Sequence, residues 1–86
     1  MNLVGIVAFH PNINQLNQKL KILVKNYRII IVDNSISENN STSILKSANI
    51  YYRKLKSNFG VAGGARLICN YAIKYNFDNL YGGVIQ

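Results

Sequence analysis

Acidic residues are scarce in this chain. Asp33, Glu38 and Asp78 stand against ten lysines and arginines, for a formal net charge of +7 over 86 residues. Three scattered carboxylates supply neither a paired acid/base couple nor the clustered oxygens of a divalent-metal site. The single cysteine, Cys69, excludes a disulfide framework and a cysteine zinc site within the chain, and a reducing cytoplasm fits it. The one histidine, His10, has no partner for a nucleophilic triad. Long apolar runs are missing too. The run from Leu3 to Phe9 is too short for a signal peptide or a membrane span, and no basic stretch precedes it.

What is present is globular in character, with 49% hydrophobic and 15% charged residues. The length suits one small domain or part of a larger one. The excess of positive charge suits an anionic partner: nucleic acid, an acidic membrane face or a phosphate-bearing ligand. The plainer alternative is a solvated basic surface, since only Arg53-Lys54-Leu55-Lys56 forms a cluster.

Hydrophobic patterning predicts alternating strands and helices. Leu3 to Phe9 reads as a strand buried on both faces, ended by His10-Pro11-Asn12. Ile13, Leu16, Leu20, Leu23 and Val24 form a helical stripe over Asn12 to Lys25, with Asn12 as N-cap. Arg28 to Val32 is a second buried strand, stopped by Asp33-Asn34-Ser35. A short helix is expected over Thr42 to Ala48. Ile50 to Leu55 reads as a third strand, polar enough to lie near an edge. A glycine segment then opens a third helix, marked by Ala65, Ile68, Ala72 and Tyr75, and Leu80 to Ile85 begins a fourth strand.

The order β-α-β-α-β-α-(β) predicts an α/β fold: a Rossmann-like, three-layer parallel sheet with right-handed crossovers. Ligands of such sheets bind at the carboxyl ends of the strands. Phe9-His10-Pro11, Asp33-Asn34-Ser35 and the segment "NFGVAGGAR" from Asn58 to Arg66 all fall on that rim.

The glycine segment matches neither the dinucleotide fingerprint nor a P-loop. Two readings stay open. Gly60, Gly63 and Gly64 expose backbone N–H groups at the positive end of a helix dipole, with Arg66 in the first turn to grip a phosphate. Alternatively they make a tight strand-to-helix turn beside a surface arginine. Asp33 is either a turn former or a carboxylate that accepts from a base or ribose. Phe9 is either core or a stacking surface for a base. His10 is either structural or part of the rim.

Together "VAFHPN", "IIIVDNS" and "NFGVAGGAR" resemble the amino-terminal part of bacterial family 2 glycosyltransferases, closest to the rhamnosyltransferase-like and galactofuranosyl-like branches. The resemblance spans Leu3 to about Asp78. It implies the nucleotide-binding half of an A-type glycosyltransferase fold. Phe9 would lie against the nucleobase, Asp33 would hydrogen-bond base or ribose, and His10 would count among the nucleotide-binding residues. Asn58 and Gly60 would line the nucleotide pocket, with Gly63, Gly64 and Arg66 near the diphosphate. The implied donor is a nucleoside diphospho-sugar, and the implied product is a glycan of surface polysaccharide.

The family continues into an Asp-x-Asp motif for Mg²⁺ or Mn²⁺ and a later carboxylate base. Here "YNFDN" is followed by "LYGGVIQ", and neither feature is present in the 86 residues. Arg66 and Ile68 also stand where the rhamnosyltransferase-like branch frequently has Asn and Gly. The expectation is therefore a single partial domain over residues 1–86. It would have no catalytic or metal-binding residue of its own and be inactive alone, with a complementing carboxyl-terminal polypeptide as one partner. Cytoplasmic location, with peripheral attachment to the inner membrane face, follows from the same resemblance. The competing reading is a non-enzymatic basic module for nucleic acid or an anionic membrane. Without an RNA-recognition or helix-turn-helix signature, nucleic acid is not favoured.

Overall fold

A computed structural model describes residues 1–85. In chain order it contains β1 (Asn2–Ala8), α1 (Ile13–Leu23), β2 (Arg28–Asp33), β3 (Ile50–Lys54), α2 (Gly60–Lys74) and β4 (Asn79–Ile85). The strands form one four-stranded sheet in the order β3-β2-β1-β4. Every neighbouring pair is parallel. The architecture is α/β and compatible with a Rossmann-like fold.

The central strands carry the apolar runs that a doubly covered sheet needs. Alternation in β2 divides them. Ile29 and Ile31 join Leu16 and Leu20 of α1 in one core, while Ile30 and Val32 join Ile68 and Ala72 of α2 in the other. The helices therefore lie on opposite faces of the sheet. α1 starts where Asn12 Oδ1 accepts from the Gln15 amide at 3.1 Å, a side-chain N-cap. α2 comes close to β1 because of two glycines. A Cβ on Gly5 would sit 2.4 Å from Ile68 Cγ2, and one on Gly64 would sit 2.9 Å from Val7 Cγ1.

Several boundaries differ from the sequence reading. β1 ends at Ala8, and His10, at φ 45°, turns the chain off the sheet, so Phe9 lies just past the strand. α1 stops at Leu23, where Lys25 and Asn26 N–H groups switch to carbonyls three residues back. The helix expected over Thr42 to Ala48 does not form. Asn17 takes that segment's backbone groups instead: its Nδ2 donates to the Ser43 carbonyl and its Oδ1 accepts from the Leu45 amide. Ser41, Thr42 and Ser43 are weak helix formers, so a short helix cannot compete with these bonds. Ile44 is still delivered to the α1-side core.

β3 is an edge strand, as its polarity indicates. β4 flanks β1 on the other side, so β1 is interior and β4 forms the second edge.

Candidate functional site

The sheet order places a change of direction between β1 and β4. From β1 the chain passes through α1 to β2 and β3 on one side, then returns through α2 to β4 on the other. In open parallel sheets the crevice at such a point is where ligands bind. A cleft of about 190 Å³ lies there. Phe9, Asn34, Asn58, Gly60 and Val61 line it, together with Val7 and Val84.

Asn34 builds this cleft. It follows β2, is buried, and reaches the start of α2. Its Oδ1 accepts from the Phe59 amide at 3.2 Å and its Nδ2 donates to the Gly60 carbonyl at 3.0 Å. Asn58 Oδ1 accepts from the Gly60 amide at 2.7 Å, closing a local turn. Gly60 sits at φ 72°, a left-handed conformation that side chains disfavour. Phe59 occupies the N-cap position and provides no side-chain cap. The following first-turn amides have no intrahelical acceptor, and the helix dipole makes this end positive.

Only Gly60 of the three glycines borders the cleft. Gly63 and Gly64 lie inside α2 and have packing reasons of their own. A Cβ on Gly63 would come 2.7 Å from Phe59 Cβ, and Gly64 meets Val7. Arg66 is a correction to the sequence reading. Because α2 begins at Gly60, Arg66 lies beyond the first turn, about 9 Å further along the axis. It is exposed and lies outside the cleft lining.

Asp33 is also used differently from the ligand-binding role the resemblance implies. It shares the alternation of Ile29 and Ile31 and is completely buried. Its Oδ1 accepts from the Ser35 amide at 2.8 Å; its Oδ2 accepts from Asn40 Nδ2 at 2.9 Å and Tyr52 OH at 2.5 Å. Burial alone would raise its pKa. The hydrogen bonds from Ser35, Tyr52 and Asn40 together outweigh burial and hold the carboxyl below its ordinary value. The same contact works on Tyr52, whose hydroxyl is pushed well above its ordinary value by burial and then by the bond to Asp33. Asp33 thus fastens the loop after β2 and does not line the cleft.

His10 has a similar holding role. Its backbone amide donates to Ser35 Oγ at 2.7 Å, and its Nε2 accepts from the Ile36 amide at 3.1 Å. An accepting Nε2 leaves the ring proton on Nδ1, which lies 2.5 Å from Glu38 Oε2. The ring meets Phe9 edge-on, with centroids 4.5 Å apart. Lys54 Nζ donates to the carbonyls of Ser35 and Leu55, tying the end of β3 to the same loop.

The structure thus brings Phe9, Asn58 and Gly60 together and adds Asn34, which the sequence places on the rim without a role of its own. Asp33, His10, Gly63, Gly64 and Arg66 lie outside that lining. The signal for Asn34 was available in strand alternation. If Ile29 and Ile31 face α1, Asp33 points the same way, and the next polar residue is the one free to reach the glycine helix.

The acids present do not fit a divalent metal. Asp33 is committed internally, Glu38 lies against His10, and Asp78 accepts from the Met1 amino group. Among the described residues no three His, Cys, Asp or Glu side chains could share an ion. No helix among them is long and apolar enough to cross a membrane. No protein-family model, curated protein or solved structure matches the chain.

Proposed function

We propose that the cleft between β1, β4 and the start of α2 binds part of a nucleoside diphospho-sugar, as the nucleotide-binding half of a glycosyltransferase does. The observation that carries this reading is the position of the cleft at the change of strand direction, with the helix N-terminus beside it, whose first-turn amides beyond Gly60 have no intrahelical acceptor. Phe9 offers an aromatic face for the base. The first-turn amides of α2 offer donors for diphosphate oxygens. Asn34 and Asn58 keep the turn that presents those amides in one shape.

At about 190 Å³ the cleft is smaller than the roughly 300–1,000 Å³ of complete small-molecule sites. It holds a base or a diphosphate, and the rest of the donor extends outside it. Sugar transfer is not assigned to these residues alone. The acids that would hold a metal or act as base are engaged elsewhere, so the chain's own contribution is binding and orientation. Rhamnose as the sugar, a complementing polypeptide, surface polysaccharide as the product and a peripheral place on the cytoplasmic membrane face belong to the same proposal.

The test is titration of the chain with nucleoside diphosphates and their sugar conjugates, followed by amide NMR and calorimetry. Binding is expected at a Kd of order 1 mM, about −4 kcal/mol, with shifts confined to Phe9, Asn34, Asn58, Gly60 and Val61. Unmoved amides at those positions under several millimolar ligand would rule the reading out.

A further inference from the structure

A second cleft, of about 380 Å³, lies on the α2 side of the sheet beside the free edge of β3. Its walls are Tyr51 and Arg53 of β3 and Tyr71 and Lys74 of α2, with Tyr75 just past the helix end; Ile30 and Val32 of β2 form its floor. It shares no residue with the Gly60 cleft. The Gly60 cleft lies at the first residues of α2 and this one along its second half, with centres roughly 15 Å apart along the axis.

Its chemistry is aromatic and cationic together. Tyr51 and Tyr71 stack with centroids 5.5 Å apart and planes 9° from parallel. Tyr75 extends the group at 4.7 Å from Tyr71, and Lys74 Nζ lies 5.4 Å from the centre of its ring. A cluster that merely closed the core would turn its rings inward. Here Tyr51 is 45% exposed and Tyr75 54% exposed. Arg53 and Lys74 have no carboxylate partner among the described residues: Asp78 pairs with the Met1 amino group and Glu38 lies against His10 Nδ1. The third acid, Asp33, is buried in its own network.

We propose that this cleft binds single-stranded nucleic acid, with bases stacking on Tyr51 and Tyr75 and phosphates held by Arg53 and Lys74. Exposed rings beside uncompensated cations complement a chain that presents flat bases and anionic phosphates in turn. Duplex hides its bases, so the rings favour the single strand. A lipid surface offers phosphates but nothing to stack. The net charge of +7 adds long-range attraction for a polyanion. The inference is independent of the Gly60 cleft, and either can fail alone.

The test measures binding of the whole chain to a labelled single-stranded oligonucleotide of about ten residues, by fluorescence anisotropy across a salt series. Tyr75→Leu is expected to weaken binding about tenfold. Arg53→Gln with Lys74→Gln should reduce the slope of log K against log salt by about 1.4, two phosphates' worth. The control, Lys19→Gln with Lys25→Gln, removes the same charge from exposed positions on and just after α1 and should leave affinity within about twofold. All these side chains are on the surface, and circular dichroism verifies that each variant is folded. The proposal is overturned if the oligonucleotide does not bind at low salt, if duplex of equal length binds as tightly, or if both double variants lose the same slope. Capture by anionic phospholipid vesicles without oligonucleotide binding overturns it equally.

Discussion

Asn34 bridges the start of α2, accepting from the Phe59 amide and donating to the Gly60 carbonyl with one side chain. The amide side chain ties the end of β2 to the helix and fixes where the helix begins. Asn34→Ala leaves both backbone groups without their partner, at a cost of about 1–3 kcal/mol in urea unfolding. Asn34→Asp keeps the acceptor but sets a carboxylate against the Gly60 carbonyl, so it should not rescue. Both variants should also lose nucleotide-induced amide shifts, because the turn that presents the α2 amides loosens.

Gly60 is bare for conformational reasons, not for space. It sits at φ 72°, and a Cβ there would meet nothing within 4 Å. Gly60→Ala should therefore cost about 1–2 kcal/mol through backbone strain alone. Gly60→Asn, which tolerates the left-handed region better, should recover part of it. If Asn proves as costly as Ala in thermal unfolding, steric contact and not backbone conformation is what the position requires.

Gly5 and Gly82 lie opposite each other in β1 and β4, yet their surroundings differ. A Cβ on Gly5 would strike Ile68 Cγ2 at 2.4 Å, whereas one on Gly82 would meet nothing within 4 Å. Gly5→Ala should destabilise the fold by about 1–3 kcal/mol, since a β-branched helix residue cannot swing aside. Gly82→Ala should be neutral or slightly stabilising, because a strand glycine costs entropy. Denaturation midpoints of the two variants, measured side by side, check the contrast.

Periodicity made much of this fold legible. Continuous apolar runs marked β1 and β2, a helical stripe marked α1, and the tyrosine-arginine-lysine content of β3 marked an edge. The segment after Asn40 was not legible. Its helical spacing of Ile44, Leu45 and Ala48 competes with hydrogen bonds from Asn17, 26 and 28 positions away in the chain, which no local pattern records. The candidate site was legible in part. Turn chemistry places Phe9, Asn58 and Gly60 at one rim, but Gly63 and Gly64 look alike in sequence and serve packing against Phe59 and Val7. Asp33 drew attention as a carboxylate at a strand end. Its inward direction follows from the alternation of β2, but the hydroxyl that engages it, Tyr52, comes from another strand.

The Asp33–Tyr52 contact should give this protein opposite pH limits from one hydrogen bond. Asp33 has a folded-state pKa below its unfolded value, so its contribution is complete above about pH 4. Below that, the unfolded chain takes up the proton first, and stability falls until the native carboxyl protonates as well. Tyr52 has a folded-state pKa above its unfolded value. Its contribution is complete below about pH 10 and is lost as pH rises, since the unfolded hydroxyl ionises first. Asp33→Asn should cost about 2 kcal/mol at pH 7 and flatten the acid limb of a plot of urea midpoint against pH. Tyr52→Phe should flatten the alkaline limb. A Tyr52→Phe profile parallel to the parent above pH 10 would show that this hydroxyl is not held by the carboxylate.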